Sequence, residues 1–199
     1  MLRTLVLAAL VACRSGTSET QPMPKPPAHD VEVTWKLART GDALAVSYQV
    51  TNATGAPIYV LDQPIGNDGD RYKVLADRAY VTRGQPHVVR FVRGYLDAES
   101  QLPDVEQGDH DTIFPGVRTV APGGKLDGAF SVPLPIEPWR PGLEMADVKD
   151  PQRAVLEIGY VTTDGPWSEL PAASGTIRTA TRITVKSQRW IRGDEQKIP

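Results

Sequence analysis

Two stretches near residue 30 alternate apolar and polar side chains with a period of two, and this restricts them to half-buried strands. In VEVTWKL, Val31, Val33, Trp35 and Leu37 fall on one face, with Glu32, Thr34 and Lys36 on the other. ALAVSYQV repeats the pattern, setting Leu44, Val46, Tyr48 and Val50 against Ala45, Ser47 and Gln49. RTGD lies between them and supplies the turn, so the two strands are expected to pair as a hairpin. Further short strands are predicted in IYVLD, YKVL, AYVTR, HVVRFVRG, VRTV, LDGAFSV, AVLEIGYVTT and TIRTATRITVKS. In the last of these, Ile177, Thr179, Thr181, Ile183 and Val185 are expected to share a face opposite Arg178, Arg182 and Lys186. No segment carries three turns of amphipathic helix. Many short strands separated by glycine and proline turns predict an all-β fold, an antiparallel β-sandwich spanning residues 30–199.

With 199 residues, 40% of them hydrophobic, the chain has material for one core. The single cysteine cannot brace the two layers, so stability must come from burial, with Trp35, Tyr48, Phe91, Phe130 and Tyr160 expected to point inward. A formal net charge of -2, with arginines dispersed among acids, provides no basic field for nucleic acid.

That cysteine stands at the end of MLRTLVLAALVAC, where Arg3 precedes a short uncharged apolar run from Leu5 to Ala12. The order of cation, apolar run and small residues is that of an export signal. A membrane-crossing helix needs about 20 apolar residues, and this run is shorter and is followed by Arg14. LVAC resembles the lipobox of bacterial lipoprotein precursors, with Leu10, Val11, Ala12 and Cys13 at its four positions. The resemblance implies a signal peptide at 1–12, cleavage before Cys13 and lipid attachment to the Cys13 thiol. It also implies a membrane partner reached through that lipid. Arg14, in place of the aspartate that commonly retains such proteins at the inner membrane, implies the periplasmic face of the outer membrane. Several acyl chains, at about 0.8 kcal/mol per buried methylene, hold a protein on a bilayer more firmly than one. Residues 13–29 then read as the lipidated cysteine and a tether rich in proline (Pro22, Pro24, Pro26, Pro27). Such a tether reaches on the order of 50 Å at about 3.1 Å per residue.

The run from Val31 to Asp62, in particular YQVTNATGAPIYV, is similar to the opening strands of immunoglobulin-like sandwiches in bacterial envelope proteins. This resemblance implies an immunoglobulin-like topology.

Several stretches could carry chemistry. QGDHDT groups Asp109, His110 and Asp111, whose donors suit a divalent cation, although adjacent side chains diverge and further ligands would be needed. His29 and His87 are the other imidazoles, and QGDHDT reads as a solvated acidic loop. IGNDGDRY offers Asn67, Asp68 and Asp70, with Asp62 upstream, but lacks the spacing and closing glutamate of an EF-hand. It reads as a turn between strands with Gly66 and Gly69 at positive φ. Asn52 to Thr54 matches a glycosylation acceptor and reads as turn chemistry. Arg192, Gly193 and Asp194 form an RGD triplet of the kind that chance supplies, and Trp139 and Trp167 lie beside prolines, exposed as a patch or tucked over the sandwich ends. A site is expected within Asp97–Pro115 or Pro133–Pro151, the two long irregular stretches.

The sequence contains no G-x-S-x-G, H-E-x-x-H, phosphate loop or dinucleotide fingerprint, so no catalytic residue, cofactor or metal is assigned. A binding or structural role at the cell envelope, with an envelope protein as partner, is the reading that follows. The alternative is an envelope enzyme or divalent-metal-binding protein with a site near Asp109–Asp111.

Overall fold

The first hairpin forms where the alternation places it: β1 (Val31–Thr40) pairs antiparallel with β2 (Ala43–Asn52), Trp35 opposite Tyr48 and Thr40 opposite Ala43. Gly41, with φ of 61°, opens the two-residue turn, the conformation a type II′ hairpin requires of its first position. The computed structural model describes residues 30–96, 114–139, 150–173 and 175–199. Cys13 and the rest of the 1–29 leader and tether, His29 included, and Asp109–Asp111 lie outside the described residues.

The remaining strands are β3 (Ile58–Gln63), β4 (Ile65–Asp68), β5 (Arg71–Val74), β6 (Tyr80–Arg83), β7 (Val88–Arg93), β8 (Gly116–Val120), β9 (Lys125–Pro133), β10 (Arg153–Val161), β11 (Ser168–Ala172), β12 (Gly175–Thr179), β13 (Arg189–Arg192) and β14 (Gln196–Lys197). A one-turn helix, α1 (Arg182–Val185), is the helix among the described residues, and the fold is all-β. β1, β2 and β9 make a three-stranded antiparallel sheet. The other strands make one large sheet, in which pairing runs from β4 through β5, β11, β12, β8 and β3 to β10, β7 and β6, with β13 and β14 also on β10.

The two sheets share one core. Val31, Trp35, Leu44, Val46, Tyr48, Val50 and Phe130 of the small sheet are buried with Ile58, Val60, Phe91, Leu156, Ile158 and Ile191 of the large one. Phe130 meets Phe91 across the layers edge to face, ring centroids 6.0 Å apart. Each such side chain contributes about 1.5–3 kcal/mol by leaving water. Trp35, Tyr48, Phe91, Phe130 and Tyr160 all point inward as expected.

Three expectations need correction. The sheets are not wholly antiparallel, because β7 runs parallel to β10 from Val88–Arg153 to Arg93–Ile158. A parallel pair needs a long crossover, and the chain between Arg93 and Arg153 supplies it. TIRTATRITVKS does not continue as a strand beyond Thr179, because Thr181 caps α1: its hydroxyl accepts from the Thr184 amide, and the Thr184 hydroxyl contacts it at 2.8 Å. Ile183 is therefore 69% exposed and not on a core face. In IGNDGDRY, Gly69 has φ of 64° as the turn requires, whereas Gly66 lies within β4 in ordinary strand conformation.

Strand β10 divides one of its edges between two partners. Ile158 pairs with Arg93 of β7 and with Ile191 of β13, so these flank opposite edges; Tyr160 pairs with Arg189 of β13 and Val60 of β3. β3 therefore takes over from β7 along one edge of β10. At this handover the register of β3 against β8 shifts between Val60 and Gln63, taking Asp62 off the ladder.

Candidate functional site

At the handover four polar residues meet between the two sheets. Asp62 is fully buried, and Arg93 and Tyr48 are 3% and 4% exposed. The Tyr48 hydroxyl donates to Asp62 Oδ2 at 2.6 Å, and the Arg118 guanidinium forms an ion pair with both oxygens of the same carboxylate. Arg93 Nη1 donates to Tyr48 Oη and to the Asp62 carbonyl, each at 3.1 Å, and so satisfies the backbone group that the register shift leaves without a ladder partner. Its guanidinium lies 4.8 Å from the Phe130 ring centroid and 5.7 Å from that of Tyr48. Burial above all, and the neighbouring Asp62 carboxylate, push the Tyr48 phenol well above its usual pKa, so it remains a donor. Burial opposes the charge on Arg118, but bonding and attraction to Asp62 prevail and raise its pKa. Gly128 makes room for the knot, since a Cβ there would lie 2.1 Å from Tyr48 Cζ.

The knot reaches outward through the other nitrogen of Arg93. Nη2 donates to the carbonyls of Ala76 and Arg78, and the Ser131 amide donates to the carbonyl between them, that of Asp77. Three successive carbonyls are thus held from beneath, which fixes the segment as one wall of a cleft of about 230 Å³. Ser131, Val132 and Pro133 at the end of β9 form a second wall, and Pro135, Glu137 and Trp139 a third. The cleft opens where the edge strands β9 and β6 approach each other. Trp139 exchanges both backbone hydrogen bonds with Val81 of β6, at 2.9 and 3.0 Å, and its ring stacks on Tyr80 at 5.8 Å. Arg78 lies over the same ring, 5.2 Å from its centroid.

The cleft takes Pro133, Pro135, Glu137, Pro138 and Trp139 from the described part of Pro133–Pro151, one of the two stretches expected to hold a site, whereas Asp77, Arg78, Ala79, Val81, Ser131 and Val132 of its lining lie outside both. Trp139 belongs to it, but Trp167 does not. Trp167 packs beside Tyr59 at 5.1 Å and donates to Asp164 Oδ1, while Arg178 lies 4.6 Å above its ring. The two tryptophans pack against different clusters and do not form a joint patch.

Asp62 and the IGNDGDRY loop are also separate, because the Asp62 carboxylate is spent on Arg118 and Tyr48 while Asn67 and Asp70 are exposed. Among the described residues no three His, Cys, Asp or Glu side chains are grouped to hold a metal. His87 is exposed, with Nδ1 3.2 Å from the Asp150 carbonyl. Asn52 is fully buried, its amide donating to the carbonyls of Ala56, Val120 and Ala121 and its oxygen accepting from Thr54, so it is structural turn chemistry. In the RGD triplet, Gly193 lies under the Trp35 ring and the Asp194 carbonyl accepts from Trp35 Nε1 at 2.8 Å. Residue-by-residue motif reading missed the buried knot and the cleft behind it, although the parity of the charged residues carries a signal for the knot. The chain matches no family model, no curated protein and no solved structure.

Proposed function

We propose that this chain is a lipid-anchored bacterial envelope protein whose domain, an immunoglobulin-like sandwich with added strands, binds a partner through the Trp139 cleft. The anchor rests on LVAC and Cys13, and the spacing from the membrane on the proline-rich run that follows. The immunoglobulin-like description is supported by two sheets sharing a core; the parallel β7–β10 pair and the strands beyond β8 are departures from it.

The observation that carries a binding role is the cleft with its fixed wall. Arg93 and Ser131 hold the Ala76–Arg78 carbonyls, so the site is formed before any partner arrives and costs little ordering on binding. A binding role is favoured over catalysis because Ser131, the lining hydroxyl, is not hydrogen-bonded to a base among the described residues. A photo-crosslinking amino acid at position 135, on the cleft, tests this in intact cells against the same probe at position 125, at the opposite end of β9 from the cleft. A discrete adduct from 135 alone is expected. Identical adducts from both positions, or none from 135, would discard the cleft as the binding site.

The anchor has its own test. Mass spectrometry of the native protein is expected to find the mature terminus at Cys13 carrying acyl chains, and Cys13→Ser is expected to accumulate unprocessed. An unmodified thiol at residue 13 of the mature protein would overturn the assignment.

A further inference from the structure

We infer that the Trp139 cleft takes a long cationic side chain, lysine or arginine, presented by an extended segment of a partner protein; this rests on the reading of the cleft as a binding site. The indole of Trp139 is already engaged by Tyr80 and Arg78 and is not a vacant platform for a sugar ring or a proline. Hydrogen-bonding groups left to a ligand are the side chains of Asp77, Glu137 and Ser131, which line the cleft and have no partner among the described residues. Arg78 is the cation of the lining, and it makes no ion pair with either carboxylate.

Between these groups lies apolar surface. Val81 and Val132 are core residues, 3% and 2% exposed, that reach the cleft alongside Ala79. An apolar floor leading to two carboxylates complements a flexible aliphatic stem that ends in a charged donor. The volume sets the size of what enters. At about 230 Å³ the cleft is below the roughly 300–1,000 Å³ that drug-sized ligands occupy, so it accommodates a side chain and leaves the rest of the segment on the rim. An exposed ion pair alone gives little affinity, which is why a peptide with rim contacts, and not a free amine, is the form the ligand takes.

The test titrates full-length protein with a five-residue alanine peptide carrying a central lysine, its glutamine counterpart and N-acetyl-lysinamide, following the indole N–H resonance of Trp139. The lysine peptide is expected to bind about threefold to fivefold more tightly than the glutamine peptide, and more tightly than N-acetyl-lysinamide. Asp77→Asn with Glu137→Gln, both at exposed positions, is expected to erase the lysine preference, whereas Asp164→Asn at the Trp167 cluster should retain it. Equal affinity for lysine and glutamine peptides, or a preference that survives the double variant, overturns the inference. N-acetyl-lysinamide binding as well as the peptide overturns the choice of a protein segment. If no peptide binds while the crosslink at position 135 persists, the cationic occupant is wrong and the cleft stands; loss of both discards both.

Discussion

Trp35→Asp is expected to abolish stable folding, while Lys36→Asp leaves it intact. Trp35 is 8% exposed, its ring covers Gly193, and its Nε1 donates to the Asp194 carbonyl. Truncating a buried tryptophan costs about 3–5 kcal/mol through lost transfer energy and the cavity left behind. The aspartate adds an unpaired charge in the same apolar space, so the sum rivals the roughly 5–15 kcal/mol that holds a typical domain together. Lys36 is one residue along and exposed, and substitution there should stay within about 0.5 kcal/mol. Circular dichroism and urea titration of the two variants measure the contrast. Comparable losses would show that this assignment of the inward and outward positions of β1 is wrong.

The second large effect is expected at Asp62. Asp62→Asn preserves shape but leaves the half-buried Arg118 without its ion-pair partner and the buried Tyr48 hydroxyl without a charged acceptor, which should cost about 3–5 kcal/mol. Arg178→Ala removes an ion pair with Asp164 in which the two side chains are 42% and 68% exposed, and should cost no more than about 1 kcal/mol. Chemical denaturation of both variants gives the comparison. A loss below about 1 kcal/mol for Asp62→Asn would show that water reaches the knot and screens it.

Strand faces were readable because one parity of each early strand is apolar: Val31 to Leu37 in β1 and Leu44 to Val50 in β2 turn the predicted side inward. The same rule carried an unread message about the knot. Ile58, Val60 and Asp62 share one parity, as do Val89, Phe91 and Arg93, so an acid and a base were already marked for the interior. A charge on a core parity demands a partner. Which partner it finds depends on β3 and β7 meeting on one edge of β10, and that juxtaposition has no local signal in the chain. The end of TIRTATRITVKS was misread for another reason. Alternation continues through Ile183 and Val185, but the threonine hydroxyls at 181 and 184 each accept from the other residue's backbone amide and donate to the Pro166 carbonyl. Only part of the cleft lining lies in an irregular stretch, and its depth comes from the spacing of two sheet edges, which no local pattern marks.

The amide of Gln196 occupies the outer edge of β1, accepting from the Leu37 amide at 3.1 Å and donating to the Trp35 carbonyl at 2.7 Å. It serves as one residue of a missing neighbour strand, and it is separated from those partners by 159 and 161 positions. A ribosome that has made only β1 and β2 has therefore made a hairpin in which the Leu37 amide and the Trp35 carbonyl wait for a partner on that edge until residue 196 is present. Truncation before residue 196 should therefore favour pairing of β1 between chains, read as increased light scattering relative to the untruncated protein.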